Sequence, residues 1–157
     1  MTQLIGTYTC KADAKGRVKV PVGLKAQLDL VSSEGFVLKR SVFQPCLELY
    51  PMTEWKEIMS QMAKLNRFVR KNNDFIRRFT AGVRVVELDS AGRLLIPKDL
   101  ADFAGISKAL VLSSSIDRVE IWDEKKYEEV IDASAEDFAH LAEEVMGSVH
   151  DTGEKIS

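Results

Sequence analysis

The chain has 157 residues, 45% of them hydrophobic, with 22 Lys and Arg against 24 Asp and Glu and a formal net charge of −2. Apolar residues this plentiful, with 9 Gly, 4 Pro and 2 Cys, exclude a disordered, collagen-like or disulfide-framed chain. No run approaches the roughly 20 apolar residues that span a bilayer, and the first residues hold no apolar core of signal-peptide length, so a cytoplasmic, membrane-free protein with reduced Cys10 and Cys46 is expected.

In chain order, alternation predicts strands over 7–12 and 18–20 around a turn at 13–17. Val18 and Val20 then face inward, and Arg17 and Lys19 face out. Within the turn, Asp13 can accept backbone N–H groups, and Gly16 can take a positive φ without steric penalty. Pro21 opens a short helix over 21–28, followed by strands at 36–39 and 47–50. Apolar residues Trp55, Ile58, Met59, Met62, Leu65, Phe68 and Val69 recur at helical spacing, Asn72-Asn73 predicts a break, and Phe75, Ile76 and Phe79 a second short helix. The other face of this segment is basic, through Lys64, Arg67, Arg70, Lys71, Arg77 and Arg78.

The first pattern then returns. Asp13-Ala14-Lys15-Gly16-Arg17-Val18-Lys19-Val20-Pro21, with Leu24, aligns with Asp89-Ser90-Ala91-Gly92-Arg93-Leu94-Leu95-Ile96-Pro97, with Leu100, as D-x-x-G-R-h-x-h-P-x-x-L. Phe36-Val37-Leu38 matches Leu110-Val111-Leu112, and Leu47-Glu48-Leu49-Tyr50 matches Val119-Glu120-Ile121-Trp122. The expected division is a first repeat at 5–53, a helical insert at 54–80, a second repeat at 81–124, C-terminal helices at 125–146 and a frayed tail at 147–157. The last helix carries its apolar face on Phe138, Leu141, Ala142 and Val145. Four short strands cannot bury a core alone, so the two copies are expected to close one compact barrel in an α+β, mainly β fold.

Charge is divided unevenly: residues 1–84 hold 15 Lys and Arg against 7 Asp and Glu, and residues 85–157 hold 7 against 17. Such asymmetry points to nucleic-acid contact or to self-association between unlike surfaces.

The doubled D-x-x-G-R-h-x-h-P motif, with Ile96-Pro97-Lys98-Asp99-Leu100 running on to Ala104-Gly105-Ile106, resembles the SpoVT/AbrB swapped-hairpin DNA-binding domain. Two copies in one chain, with Leu49-Tyr50-Pro51 and Trp55 ahead of a helical segment, resemble the MraZ family of bacterial transcriptional regulators. The resemblance implies a pseudo-twofold swapped-hairpin β-barrel, a ring-shaped homo-oligomer associated with the nucleoid, and binding of double-stranded DNA at short direct repeats in the promoter of the division and cell-wall gene cluster. It also implies that Arg17 and Arg93 lie near the DNA-facing surface. Where the first copy has Lys11, Lys15 and Lys19, the second has Glu87, Ala91 and Leu95, so DNA contact is expected mainly from the first copy. Against this, Arg17 and Arg93 could serve only to lock their turns to Asp13 and Asp89, and Gly16 and Gly92 belong to that turn motif.

Catalysis has little support. His140 and His150 are isolated, no P-loop, G-x-S-x-G or G-x-G-x-x-G occurs, and no cofactor, metal or small-molecule ligand is expected. The one acid–base pairing to weigh is Asp13 with Asp89, and both have the same turn-capping task. An antitoxin-like module that captures another protein through the 135–146 helix is the remaining alternative.

Overall fold

A computed structural model describes residues 3–132 and 134–156, without the side chains of 148–156. It divides into two compact units, residues 1–124 and 125–157. The first unit contains β1 (Thr7–Lys11), β2 (Arg17–Lys19), α1 (Val22–Val31), β3 (Phe36–Arg40), β4 (Leu47–Pro51), α2 (Met52–Met62), α3 (Arg70–Thr80), β5 (Arg84–Val86), β6 (Arg93–Leu95), α4 (Lys98–Ala104), β7 (Ala109–Ser115) and β8 (Arg118–Asp123). The helix α5 (Glu124–Ile131) starts at the boundary, and α6 (Ala135–Ile156) lies in the second unit.

Six strands form one antiparallel sheet in the order β1-β7-β8-β4-β3-β5, while β2 and β6 pair separately as a two-stranded ribbon. With β1–β4 of the first repeat matched to β5–β8 of the second, the sheet order is the same read from either end. The repeats exchange strands: β1 pairs with β7 and β5 with β3, so neither repeat completes its own sheet. This is a mixed fold with a mostly antiparallel sheet, but hydrogen bonding does not close it into the expected barrel. The short hairpin strands pair with each other instead of bridging the edges β1 and β5.

Pleat periodicity divides the core. Phe36, Leu38, Leu47 and Leu49 face the main core with Val18, Leu94, Leu24, Leu28, Leu100 and Ala104. The alternate residues Val37 and Tyr50 face a second cluster with Trp55, onto which Ile58, Met59 and Phe79 pack. Both faces of β3 and β4 are therefore covered, as their nearly unbroken burial shows. Pro21, Pro51 and Pro97 each stand just before a helix, at φ −56 in all three, where their missing N–H leaves no helical bond unmade.

Two boundaries differ from expectation. The helical segment breaks at 63–69, between α2 and α3, and Asn72 and Asn73 lie inside α3. Their amides explain this: Asn72 Nδ2 donates to the Asn66 carbonyl (3.0 Å) and Asn73 Nδ2 to the Arg67 carbonyl (2.6 Å), so they tie down the preceding loop. The last helix runs on to Ile156, over the stretch expected as a frayed tail; its two glycines, at 147 and 153, each weaken a helix by about 1 kcal/mol without ending it.

Candidate nucleic-acid interface

The two D-x-x-G-R turns are built alike. Asp13 Oδ1 accepts the backbone N–H of Lys15 and of Arg17 (both 2.9 Å), and its Oδ2 accepts Arg17 Nε at 2.7 Å. Asp89 does the same with Ala91 N (2.9 Å), Arg93 N (2.8 Å) and Arg93 Nε (2.8 Å). Gly16 and Gly92 sit at φ 81 and 76, the left-handed region that a side chain rarely adopts. The turns also join each other, since Ile96 N donates to the Gly16 carbonyl and Val20 N to the Gly92 carbonyl, both at 3.0 Å.

These bonds hold β2 against β6 with Arg17 opposite Leu95, Val18 opposite Leu94 and Lys19 opposite Arg93. Alternation puts Val18 and Leu94 in the core, so Arg17, Lys19, Arg93 and Leu95 share the outer face. The sequence suggests two hairpins of unequal charge, and the register makes them one surface in which Arg93 stands beside Lys19. Lys15, exposed in the first turn, extends this surface at the Arg17 end. Lys11, also exposed, lies on β1 opposite Ala109, outside the ribbon. Glu87 is packed toward Gly35, where its Cγ would stand 3.3 Å from an added Cβ.

The aspartates are acceptors in this arrangement. The backbone N–H of Arg17 is the main cause that holds the Asp13 carboxyl below its usual value, and that of Arg93 does the same for Asp89. Both shift in one direction for the same reason, so nothing divides them into an acid and a base. Each arginine is engaged through Nε, which takes up the side-on fork and leaves the end-on fork of the two terminal guanidinium nitrogens for bidentate recognition of phosphate or a base edge. The ion pair expected to lock each turn is therefore formed, and it leaves the recognition end of the side chain uncommitted to the aspartate.

Of the other basic candidates, Lys64 and Arg67 fall in the loop before α3, and exposed Arg70, Lys71, Arg77 and Arg78 lie on α3. Cys46 is buried, its thiol pushed up to about 12 mainly by burial, while Cys10 is half-buried at the core's edge. Among the described residues, no cluster of His, Cys, Asp and Glu could hold a metal ion, and no helix is long and apolar enough to cross a membrane.

A buried polar network escaped the sequence reading. Lys39 is fully buried, donates to the Arg40 carbonyl (2.6 Å) and to Glu48 Oε1 (3.3 Å), and lies 4.4 Å from the Phe79 ring centre. Tyr50 donates to the same Glu48 oxygen at 2.9 Å and accepts from Arg118 at 2.8 Å. Burial lowers the affinity of the Lys39 amine for its proton, and Glu48 partly offsets that. The signal that could have revealed the network is the hairpin register, which sets Lys39 directly opposite Glu48.

The fold and this surface define a class: a duplicated protein whose repeats exchange strands and jointly present one arginine-bearing β-ribbon. A family model described as "MraZ protein, putative antitoxin-like" matches twice, over residues 4–78 and 79–148. The chain is 62% identical over 157 residues to the transcriptional regulator MraZ of Flavobacterium psychrophilum, covering 100% of both chains. It is 65% identical over 148 residues to that of Christiangramia forsetii (94% of this chain, 96% of the relative), and 33% identical over 141 residues to that of Clostridium tetani (90% and 95%). The chain belongs to the MraZ family and is a transcriptional regulator. Each family match takes in a full set of four strands together with helix that follows them.

Proposed function

We propose that this regulator binds double-stranded promoter DNA through the outer face of the β2–β6 ribbon, with Arg17, Lys19 and Arg93 as the central contacts and Lys15 and Lys11 at the margin. The observation that carries this reading is the register that sets three cations on one exposed face while Asp13 and Asp89 hold two of them in place. A two-stranded ribbon fits the DNA major groove, and arginine can pair there with a guanine edge or with phosphate. The strand exchange supports the swapped-hairpin relation implied by the SpoVT/AbrB resemblance.

The finer reading places the DNA site at short direct repeats ahead of the division and cell-wall gene cluster, and the protein in the cytoplasm at the nucleoid. It also includes a ring-shaped homo-oligomer formed by head-to-tail contact between the basic and acidic halves of neighbouring copies. Such a ring engages several repeats at once and gains avidity through effective concentration. With a net charge of −2, affinity must come from local phosphate contacts and fall steeply with salt. Titration of labelled promoter DNA from roughly 50 to 200 mM salt should weaken binding by at least about tenfold. A flat response would remove the ribbon's cations from the mechanism and favour capture of a protein partner.

A further inference from the structure

We propose that Leu95 is a specificity-determining contact of this regulator, reading the 5-methyl group of thymine, and that it makes the two ends of the ribbon read different bases. The inference rests on the proposal that the ribbon face enters the groove, and it concerns what that face recognises there.

The two repeats agree wherever the fold needs them to agree. Val18 and Leu94 are both buried, as are Val20 and Ile96, and Asp13 with Gly16 mirrors Asp89 with Gly92 in hydrogen bonding and φ. They disagree on the outer face, where Lys19 corresponds to Leu95 and Lys15 to Ala91. Leu95 is 54% exposed, and the core beneath that strand is already filled by Leu94 and Ile96, so packing gives no reason for a leucine there. A singly exposed leucine is ordinary on a protein surface. This one lies directly across from Arg17 on a face otherwise lined by cations, where the equivalent position in the first repeat is a lysine.

The chemistry follows from the neighbours. Cross-strand partners have Cβ atoms about 5 Å apart, close to one or two base steps of about 3.4 Å, so Arg17 and Leu95 would address the same or adjacent base pairs. In the major groove the thymine methyl is the apolar feature, and an aliphatic side chain recognises it by contact. The opposite end of the ribbon pairs Arg93 with Lys19, two cations suited to acceptor-rich edges or phosphate. The twofold relation that organises the core is thus broken on the surface that meets DNA. A subunit therefore reads a site without internal twofold symmetry, in one orientation.

The test uses the full-length protein and the promoter fragment upstream of its own coding sequence, prepared with thymidine or with deoxyuridine throughout. Wild type should bind the deoxyuridine fragment about fourfold more weakly for each contacted thymine, the worth of one buried methyl group. Leu95→Ala should bind both fragments alike, with an unchanged melting temperature and salt slope. Leu95→Lys, which restores the residue of the first repeat, should also lose the preference and steepen the log–log salt slope by about 0.9, one added phosphate contact. Equal binding of both fragments by wild type, or a wild-type preference kept by Leu95→Ala, would overturn the role of Leu95 while leaving the ribbon as the DNA-binding face. A loss of melting temperature with affinity lowered equally for both fragments would make Leu95 structural. Failure of wild type to prefer the promoter over random-sequence DNA would instead remove the underlying proposal.

Discussion

Arg17 and Arg93 each lock a turn and, in the function proposed above, each also contact DNA, two roles that a single measurement cannot separate. The Asp–Arg pairs are part-exposed, and solvent screening leaves such pairs a small contribution to stability, less at high salt. A lost DNA contact costs more, about 1 to 3 kcal/mol per site. Because the ribbon joins both arginines on one face, Arg17→Ala and Arg93→Ala should both stay folded, with a melting temperature within a few degrees of wild type, and both should lose operator affinity. Thermal melting alongside operator titration checks this. A mutant that loses melting temperature but binds normally would make its arginine a turn lock only. The turn glycines differ in what surrounds them: a Cβ at Gly16 would meet the Ile96 carbonyl at 3.3 Å, whereas at Gly92 it would meet the flexible Lys25 chain at 3.2 Å. Both substitutions strain a positive φ, by roughly 1 to 2 kcal/mol, but only the lysine can move aside. Chemical denaturation should therefore show Gly16→Ala to be the more destabilising of the two.

Among the elements, the β3–β4 hairpin and the α2–α3 pair depend on one another. The outer face of the hairpin carries Lys39, Glu48 and Tyr50, and Trp55 and Phe79 from the helices cover it, with Trp55 5.5 Å from Tyr50 and 5.8 Å from Phe79 between ring centres. Glu48 faces Glu120 across β4 and β8, a like-charge pairing that costs stability unless cations and donors surround it. Lys39 supplies one such group, and Arg118, 3.9 Å from the other Glu48 oxygen, a second. Removing one member of a buried pair strands its partner, so Lys39→Met should destabilise the protein by about 3 kcal/mol. Pairing it with Glu48→Gln should recover much of that loss, because the uncompensated charge is gone. Denaturant melts of the single and double variants measure the coupling. An additive double mutant would show that Arg118 and Tyr50 alone satisfy Glu48.

For the whole molecule, the uneven charge remains to be placed. A chain with 15 cations against 7 anions in residues 1–84 and 7 against 17 in residues 85–157 favours contacts between unlike ends of neighbouring copies. Light scattering at micromolar concentration and near-physiological salt should give a mass several times 17.6 kDa, and raising the salt should shift it toward smaller species. A monomer at every salt concentration would exclude the ring and, with it, avidity as the source of operator affinity.

The repeat, its strands, the Asp-x-x-Gly-Arg turn and the inward valines were legible in the sequence because each is a local matter: a period of two, a glycine that must take a positive φ, and an aspartate within reach of N–H groups two and four residues on. The family was legible too, because the motif occurs twice at matching spacing. The break at 63–69 was misplaced because Asn72 and Asn73 offer their amides to a loop six residues back, where residue type alone reads as a helix stop. What only the tertiary structure decided is which strand lies beside which. Pairing β2 with β6 brings Arg93 next to Lys19 and Leu95 next to Arg17, across 74 and 78 residues of chain. Alternation states which way a side chain points from its own strand and carries no information about the neighbouring one. That neighbour is set by the strand exchange that buries the shared core, and so the composition of the ribbon's outer face is a consequence of packing.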